Sequence, residues 1–128
     1  MILRQNRGVS PTSISMVLDC RDPKSLASFW AGALDYVDVG SVDNYTLLMP
    51  RSTGPQLLLQ RVAEPKSAKN RMHLDIHVTD IEAEATRLEG LGATRTAGQP
   101  VSEHGHSWVL MADPEGNEFC VCDAEDET

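Results

Sequence analysis

The side chains best suited to acid–base or metal chemistry lie on one short segment of the chain. Polar and apolar residues alternate strictly between positions 71 and 78. Because successive side chains of a β-strand point to opposite faces, one face carries Arg71, His73, Asp75 and His77. A carboxylate beside an imidazole orients the ring, which can then act as a general base or a metal ligand. We therefore identify His73 and Asp75 as the candidate catalytic pair.

This polar face has two interpretations. It either meets bulk solvent, with Arg71 and Asp75 as a structural ion pair, or it faces a ligand groove. We favour the groove, because we expect the strand to be central in its sheet. His77 lies roughly 7 Å from His73 on such a strand, so the two rings cannot bind one ion without distortion.

Two cysteines share a face of a second predicted strand. Cys120 and Cys122 alternate with Phe119 and Val121. A Cys120 thiolate would be a nucleophile or redox centre near Arg71 or a protonated His73, whereas a thiol buried among apolar groups would be inert. For Cys122 we favour the simpler interpretation of a small buried side chain.

A third segment precedes the last predicted hairpin. His104 and His106 flank Gly105 and could bind a metal, but such histidines are more often ordinary loop residues. Trp108 begins an apolar strand, where it either fills the core or forms a flat wall for a stacked ligand.

Composition limits the possible partners. The chain has 128 residues, and its 19 acidic against 11 basic side chains give a net charge of -8, which argues against nucleic acid or an anionic membrane as partner. Residues 1–12 read as a flexible N-terminus, and 123–128 read as a solvated acidic tail. A polar start without a signal peptide, together with only three cysteines, predicts a cytoplasmic protein with reduced thiols.

The chain contains an internal repeat. A short strand and an amphipathic helix occur at 14–34 and again at 72–91, with Asp22 and Asp80 at equivalent positions before each helix. Both aspartates suit an N-cap, and Thr79 with Glu82 also predicts a capping box.

Three strand-like runs follow each helix. They are 36–39, 45–49 and 56–62 in the first half, and 94–97, 107–112 and 118–122 in the second. The sequence therefore predicts an α+β fold of two tandem βαβββ modules, about 13–62 and 71–122, joined by the polar linker 63–70 within a single domain, 13–122. A single sandwich with a chance internal match is the alternative.

Several motifs resemble one superfamily. The repeat, the helix end at 91–93 and the turn Asp-Pro-Glu-Gly-Asn at 113–117 are similar to the vicinal oxygen chelate superfamily, which includes glyoxalase I, bleomycin-resistance proteins and extradiol dioxygenases. The closest resemblance is to small glyoxalase-like domain proteins, over about residues 13–122. It implies concave sheets that enclose a central cavity.

The resemblance also implies where a metal would bind. Carried onto this chain, the four ligand positions of the superfamily's metal enzymes fall on Ser15, Gln60, His73 and Cys120. Only His73 keeps a favoured ligand, because Ser15 is a poor one, Gln60 offers an amide oxygen and Cys120 replaces the usual carboxylate. Mg²⁺ and Mn²⁺ prefer carboxylates, and Zn²⁺ would need a third strong ligand that these positions lack. A divalent metal is therefore not favoured.

Two functions remain open from the sequence. One is a glyoxalase-like lyase or isomerase acting on an oxygenated metabolite, with His73 as ligand or base and Asp75 orienting it. The other, in the manner of bleomycin-resistance proteins, is sequestration of an antibiotic or metabolite without turnover; a regulatory or structural module is a third possibility. We favour a small-molecule-binding domain with Gln60, Arg71, Trp108 and Cys120 as ligand contacts, and the resemblance suggests a homodimer.

Overall fold

The structure is a computed structural model that describes residues 15–70, 72–96, 100–103 and 105–123. The predicted flexible N-terminus, Arg71, His104 and positions 124–128 of the predicted tail lie outside these ranges. Within them, neither helix has the length and apolar character needed to cross a membrane.

Two βαβββ-type modules follow one another along the chain. Module 1 contains β1 (Met16–Cys20), α1 (Pro23–Leu34), β2 (Tyr36–Val42), β3 (Tyr45–Pro50) and β4 (Leu57–Arg61). Module 2 contains β5 (Leu74–Val78), α2 (Ile81–Leu91), β6 (Thr94–Arg95), β7 (Val101–Glu103), β8 (His106–Ala112) and β9 (Glu118–Asp123). Their sheets have the strand orders β1-β4-β3-β2 and β5-β9-β8-β6, with β7 also paired to β8. The predicted α+β fold of tandem modules is confirmed.

Module 2 has one strand more than predicted. Both β6 and β7 pair with β8, β6 at its C-terminal end and β7 at its N-terminal end. Together they occupy the place that β2 occupies beside β3 in module 1, where a bulge between Asp38 and Gly40 interrupts the pairing. The sequence prediction missed β7 because three residues are too few for a visible alternation of polar and apolar side chains.

The expectation that the polar strand is central was wrong. That strand is β5, which pairs in parallel with β9 alone and so forms an edge of its sheet. In each module the helix connects the first strand to the other strands of the sheet. Both first strands, β1 and β5, lie at an edge. The central strands of module 2 are β9 and β8.

Aspartates begin both helices, as predicted. Asp22 accepts a hydrogen bond from the backbone N–H of Ser25, and Asp80 accepts one from Ala83. The predicted capping box of Thr79 and Glu82 was wrong, because Asp80 is the cap and Glu82 instead forms an ion pair with Arg95. At the other end of α2, Gly92 adopts a left-handed conformation with φ 119°.

The core lies between the helices and the inner faces of the two sheets. An aromatic cluster joins the modules, because Phe29 and Trp30 of α1 both contact Phe119 of β9, with ring centroids 6.1 and 5.2 Å away. All three rings are at most 3% exposed. Burial of these rings contributes several kcal/mol that is lost if the modules separate, at about 25 cal/mol per Å² of apolar surface.

The turn at 113–117 fastens module 2 to α1. The Asp113 carboxylate is 3% exposed and accepts a hydrogen bond from the Trp30 indole N–H at 2.9 Å. It also accepts from the backbone N–H groups of Glu115 and Asn117 and from the Asn117 side-chain amide. The motif that carried the family resemblance thus serves as a connection between modules.

Two further contacts hold the modules in register. The Glu115 carboxylate accepts from the backbone N–H groups of Arg21 and Asp22, just before α1 begins. At the other end of α1, the Arg87 guanidinium donates to the carbonyl oxygens of Gly32 and Ala33. Module 2 therefore binds both ends of α1. The backbone groups at helix ends have no partners within the helix, and these contacts supply them.

Replacement of Asp113 by alanine should destabilise the fold, because it removes the acceptor for four donors, some of them buried. We expect the free energy of unfolding to fall by about 3 kcal/mol and the melting temperature by roughly 10 °C. Urea and thermal unfolding followed by circular dichroism measure both. The exposed Glu64→Ala variant, which also removes one negative charge, is the control. A loss of less than ~0.5 kcal/mol in Asp113→Ala would contradict the role assigned to this turn.

Candidate functional site

The outward face of the module 2 sheet collects the polar side chains. Strand register places Asp75 beside Cys120, and Cys120 beside Leu110. The inward face is formed by residues such as Ile76, Val121 and Val109, the last two of which are at most 1% exposed. The predicted alternation is therefore present over 73–78, the part of 71–78 for which the structure describes it, and its polar side lies away from the helices.

An open groove of about 600 Å³ runs along this outward face. It is bounded by three of the five strands of the sheet, β5, β9 and β8, and by the end of the segment that leads into β5. Its lining contains imidazoles, thiols, carboxylates, one ammonium group and two apolar walls: Lys69, His73, Asp75, His77, His106, Ser107, Trp108, Leu110, Cys120, Cys122 and Asp123. The lining of the groove is thus mostly polar, with an aromatic side chain on one side.

Three side chains converge on the floor of the groove. His73 Nε2 lies 3.2 Å from Asp75 Oδ1, and the two side chains are 46% and 48% exposed. One donor atom from each of His73, Asp75 and Cys120 lies within 4.8 Å of the other two. Two different relationships produce this cluster. His73 directly precedes β5 and lies two residues before Asp75, and Cys120 faces Asp75 from β9.

Both groove thiols are held in the protonated form. Burial raises the pKa of Cys120, and the negative charge of Asp75 raises it further. Burial and the same carboxylate raise the pKa of Cys122 to about 11. The surroundings described here therefore oppose the thiolate that a cysteine nucleophile would need at neutral pH.

One end of the groove carries a lysine–carboxylate pair. Lys69 Nζ lies 3.0 Å from Glu118 Oε1, and the backbone N–H of Asn70 donates to the same oxygen. The hydrogen bond from Lys69 lowers the pKa of Glu118. Lys69 brings a positive charge to the groove that the sequence did not reveal, because it falls in the predicted linker.

The opposite end of the groove is organised by Asp123. Its carboxylate accepts from the backbone N–H of Ser107 and lies 3.6 Å from His106 Nδ1, and its carbonyl oxygen lies 3.3 Å from His77 Nδ1. From the sequence, Asp123 was predicted to belong to the acidic tail. The only signal for its actual role was that it directly follows a strand-like run.

Trp108 forms the aromatic side of the groove. It is half-buried and lies beside Cys122 across the β8–β9 ladder. The residue therefore presents a flat apolar surface to the groove, and it is not enclosed in the core. Trp30, by contrast, is 2% exposed and belongs to the aromatic cluster.

The two remaining predicted site residues lie elsewhere. Gln60 is on β4 of module 1, where its side-chain amide donates to the Tyr45 hydroxyl at 3.4 Å. Ser15 precedes β1, and its hydroxyl accepts from the Gln56 amide. Neither lines the groove of module 2. Of the four positions carried over from the resemblance, only His73 and Cys120 come together in this groove.

A second cavity of about 390 Å³ lies at the seam between the modules, where the edge strands β1 and β5 approach each other. Its lining is mostly apolar and includes Met16, Leu18, Leu57 and Leu74. His73 lines both this cavity and the polar groove. The apolar seam cavity therefore adjoins the polar groove at His73.

Comparison with known proteins agrees with this architecture. The glyoxalase-like domain family model matches residues 15–122. The chain belongs to this family. No curated protein sequence matches the chain.

Solved structures show the same fold at low sequence identity. A glyoxalase/bleomycin resistance protein/dioxygenase family enzyme from Burkholderia phytofirmans PsJN has a TM-score of 0.72 at 13% identity, over 87% of this chain and 97% of that one. The fosfomycin resistance protein FosX from Listeria monocytogenes has a TM-score of 0.72 at 12% identity, over 94% and 98%. A glyoxalase-related enzyme from Fulvimarina pelagi has 0.68 at 16% identity, over 88% of each chain.

The divalent metals common in this superfamily do not all fit the groove. A hard ion such as Mg²⁺ needs several oxygen ligands, whereas the converging donors are one imidazole, one carboxylate and one thiol. These three converging donors therefore suit a softer ion better than Mg²⁺ or Mn²⁺.

The groove thiols should respond to the charge of Asp75. In chelator-treated protein, Asp75→Asn should lower the pKa of Cys120, because it removes a negative charge that disfavours the thiolate. Alkylation of Cys120 by iodoacetamide near pH 8 should then be faster than in the wild type, as measured by mass spectrometry of the labelled peptides.

Cys20 is the internal control for this experiment. Burial, and after it the negative charges of Glu115 and Asp113, raise the pKa of Cys20 to about 12. Asp75 does not contribute to this shift. Its alkylation rate should be the same in both proteins. Equal Cys120 rates in wild type and Asp75→Asn would show that the carboxylate does not control the thiol.

Proposed function

We propose that this glyoxalase-like protein binds a small oxygenated molecule in the groove of module 2. The observation that carries the proposal is the cluster of His73, Asp75 and Cys120 on the floor of an open groove of about 600 Å³. Convergent polar groups in a concave, partly apolar site are typical of ligand pockets. The concentration of ionisable side chains in this groove supports the proposal.

The lining indicates the kind of ligand. Trp108 offers a flat surface for an aromatic or conjugated group, and Leu110 adds an apolar floor. His73 and Lys69 can hydrogen-bond to hydroxyl, carbonyl or carboxylate oxygens of the ligand. The apolar seam cavity beyond His73 can receive a short hydrocarbon part. The ligand class is therefore a flat, oxygenated metabolite or antibiotic.

Proton transfer by His73 is the second candidate function. Asp75 fixes His73 through Nε2 at 3.2 Å and leaves the other ring nitrogen, Nδ1, to a ligand. An imidazole oriented by a carboxylate can act as a general base in a lyase or isomerase. This function uses the same groove, and it adds a chemical step to the binding function.

We also propose that two copies complete the site as a homodimer. The outward face of the module 1 sheet is apolar and exposed: Val17 is 55% exposed, Val37 37% and Tyr45 40%. Register places Val17, Leu58 and Leu47 in one row across this face. In a twofold arrangement, this face of each copy can cover the open polar groove of the other, so that two equivalent sites close together.

Ligand binding should be visible as thermal stabilisation. Salicylate, a flat oxygenated aromatic, is a suitable first probe, and a bound probe raises the melting temperature by mass action. His73→Ala should keep the ligand-free melting temperature within about 2 °C of wild type, because the side chain is half-exposed, yet it should remove the shift caused by the probe.

Thr86→Ala, on the exposed side of α2, is the control and should retain the full shift. A variant His73→Ala that keeps the shift would exclude the proposed groove as the binding site. A large loss of stability in that variant would instead make His73 a structural residue.

The dimer has a separate test. Light scattering after size-exclusion chromatography should give twice the chain mass of 14.0 kDa for the wild type. Val17→Lys should weaken association by roughly 100-fold, because it replaces apolar contact surface with an ammonium group that loses its water on association. Thr86→Lys adds the same charge outside the interface and should remain dimeric. A wild type that is monomeric at all concentrations would overturn the proposal.

A further inference from the structure

We infer that His73, Asp75 and Cys120 form a zinc site built entirely within module 2. One nitrogen, one oxygen and one sulfur donor lie within 4.8 Å of one another on the floor of the groove. This inference does not depend on the organic ligand proposed above. It departs from the ligand positions that the resemblance implies, because Asp75 is outside that set and Ser15 and Gln60 are not used.

The distances suit a tetrahedral ion. Zinc–nitrogen and zinc–oxygen bonds of about 2.0–2.1 Å place two ligands of a tetrahedron roughly 3.3 Å apart, and zinc–sulfur bonds of about 2.3 Å widen that separation slightly. His73 Nε2 and Asp75 Oδ1 are already 3.2 Å apart. Only the Cys120 sulfur must move inward, by no more than about 1.3 Å, which rotation about its side-chain bond can supply.

The donor set selects the metal. A thiolate is a poor ligand for Mg²⁺ or Mn²⁺ and a strong one for Zn²⁺, and histidine and carboxylate ligands complete common zinc sites. Three protein donors with a fourth position open to the groove is the arrangement of zinc sites that bind water or a ligand. The imidazole, carboxylate and thiol donors therefore favour Zn²⁺ over the harder ions Mg²⁺ and Mn²⁺.

Charge balance supports a divalent cation here. Coordination requires the Cys120 thiol to release one proton to the solvent, so that its thiolate and the Asp75 carboxylate together neutralise Zn²⁺. The charged and titratable groups that face the site are His73 just before β5, Asp75 on β5, Cys122 and Glu118 on β9, and Lys69 beside Glu118. Leu110 covers Cys120 from β8. Because a proton leaves, zinc affinity should fall as the pH is lowered.

Metal titration of chelator-treated full-length protein tests the site. Zn²⁺ should bind with one-to-one stoichiometry and raise the melting temperature, whereas Mg²⁺ and Mn²⁺ at the same concentration should do neither. Co²⁺, used as a spectroscopic substitute, should show a thiolate-to-cobalt charge-transfer band together with the intense visible bands of a tetrahedral ion. Reduction of the thiols throughout with a phosphine avoids oxidation.

Neighbouring residues on the same sheet face provide matched variants. Cys120→Ser should abolish the charge-transfer band and weaken zinc binding by at least about 100-fold, the upper end of what loss of an orienting residue alone costs. Cys122→Ser and His77→Ala, each two residues further along its strand, should bind as the wild type does. His73→Ala covers the case in which Cys120→Ser does not fold, because His73 is half-exposed.

Three results would overturn the site. They are the absence of saturable Zn²⁺ binding, loss of the charge-transfer band in Cys122→Ser, and binding of Mn²⁺ as tight as that of Zn²⁺. Probe binding by the chelator-treated protein is measured separately, so that failure of the zinc site and failure of the organic-ligand proposal give different results.

Discussion

The buried carboxylate of Asp113 is the constraint on which the arrangement of the two modules depends. It accepts a hydrogen bond from the Trp30 indole N–H of module 1 and another from the backbone N–H of Asn117 in its own turn of module 2. A carboxylate that is 3% exposed must have its acceptor positions filled, because an unsatisfied buried charge is costly. The turn and α1 are therefore bound to each other. With α1 held against β9, the inner faces of both sheets are covered, and the opposite faces are left to solvent or to ligands.

That division of faces explains why the two modules differ although their topology is nearly the same. The outward face of module 1 is apolar, with Val17, Leu47 and Leu58 in one row. The outward face of module 2 carries imidazoles, thiols and carboxylates. The apolar face of module 1 can pack against another apolar or partly apolar surface, and the polar face of module 2 can form hydrogen bonds to a ligand. The two modules therefore share one backbone plan but present outward faces of different polarity.

The proposed organic ligand and the proposed zinc ion are compatible within one groove because its parts are chemically distinct. The cluster of His73, Asp75 and Cys120 lies at the floor, and Trp108 stands at the side. A metal with an open coordination position can hold an oxygen atom of a ligand whose flat part contacts the tryptophan.

Much of the fold could be predicted from the sequence, because it follows from local rules. The alternation in 71–78 assigned each side chain of β5 to a face, and Asp22 and Asp80 marked the helix starts. The position of β5 in its sheet was predicted wrongly, because strand order depends on which distant segments pair. β7 was missed since it is stabilised only by its pairing with β8.

The sequence by itself determined the two modules, the polar face of β5 and the presence of His73 and Asp75 on it, since these depend on residues close together along the chain. Only the tertiary structure decided that Cys120 meets that pair, that Lys69 and Asp123 close the ends of the groove, and that Ser15 and Gln60 lie outside it. The physical reason is that parallel pairing of β5 with β9 joins residues more than 40 positions apart. No local pattern of hydrophobicity or spacing encodes which residues of the two strands become neighbours.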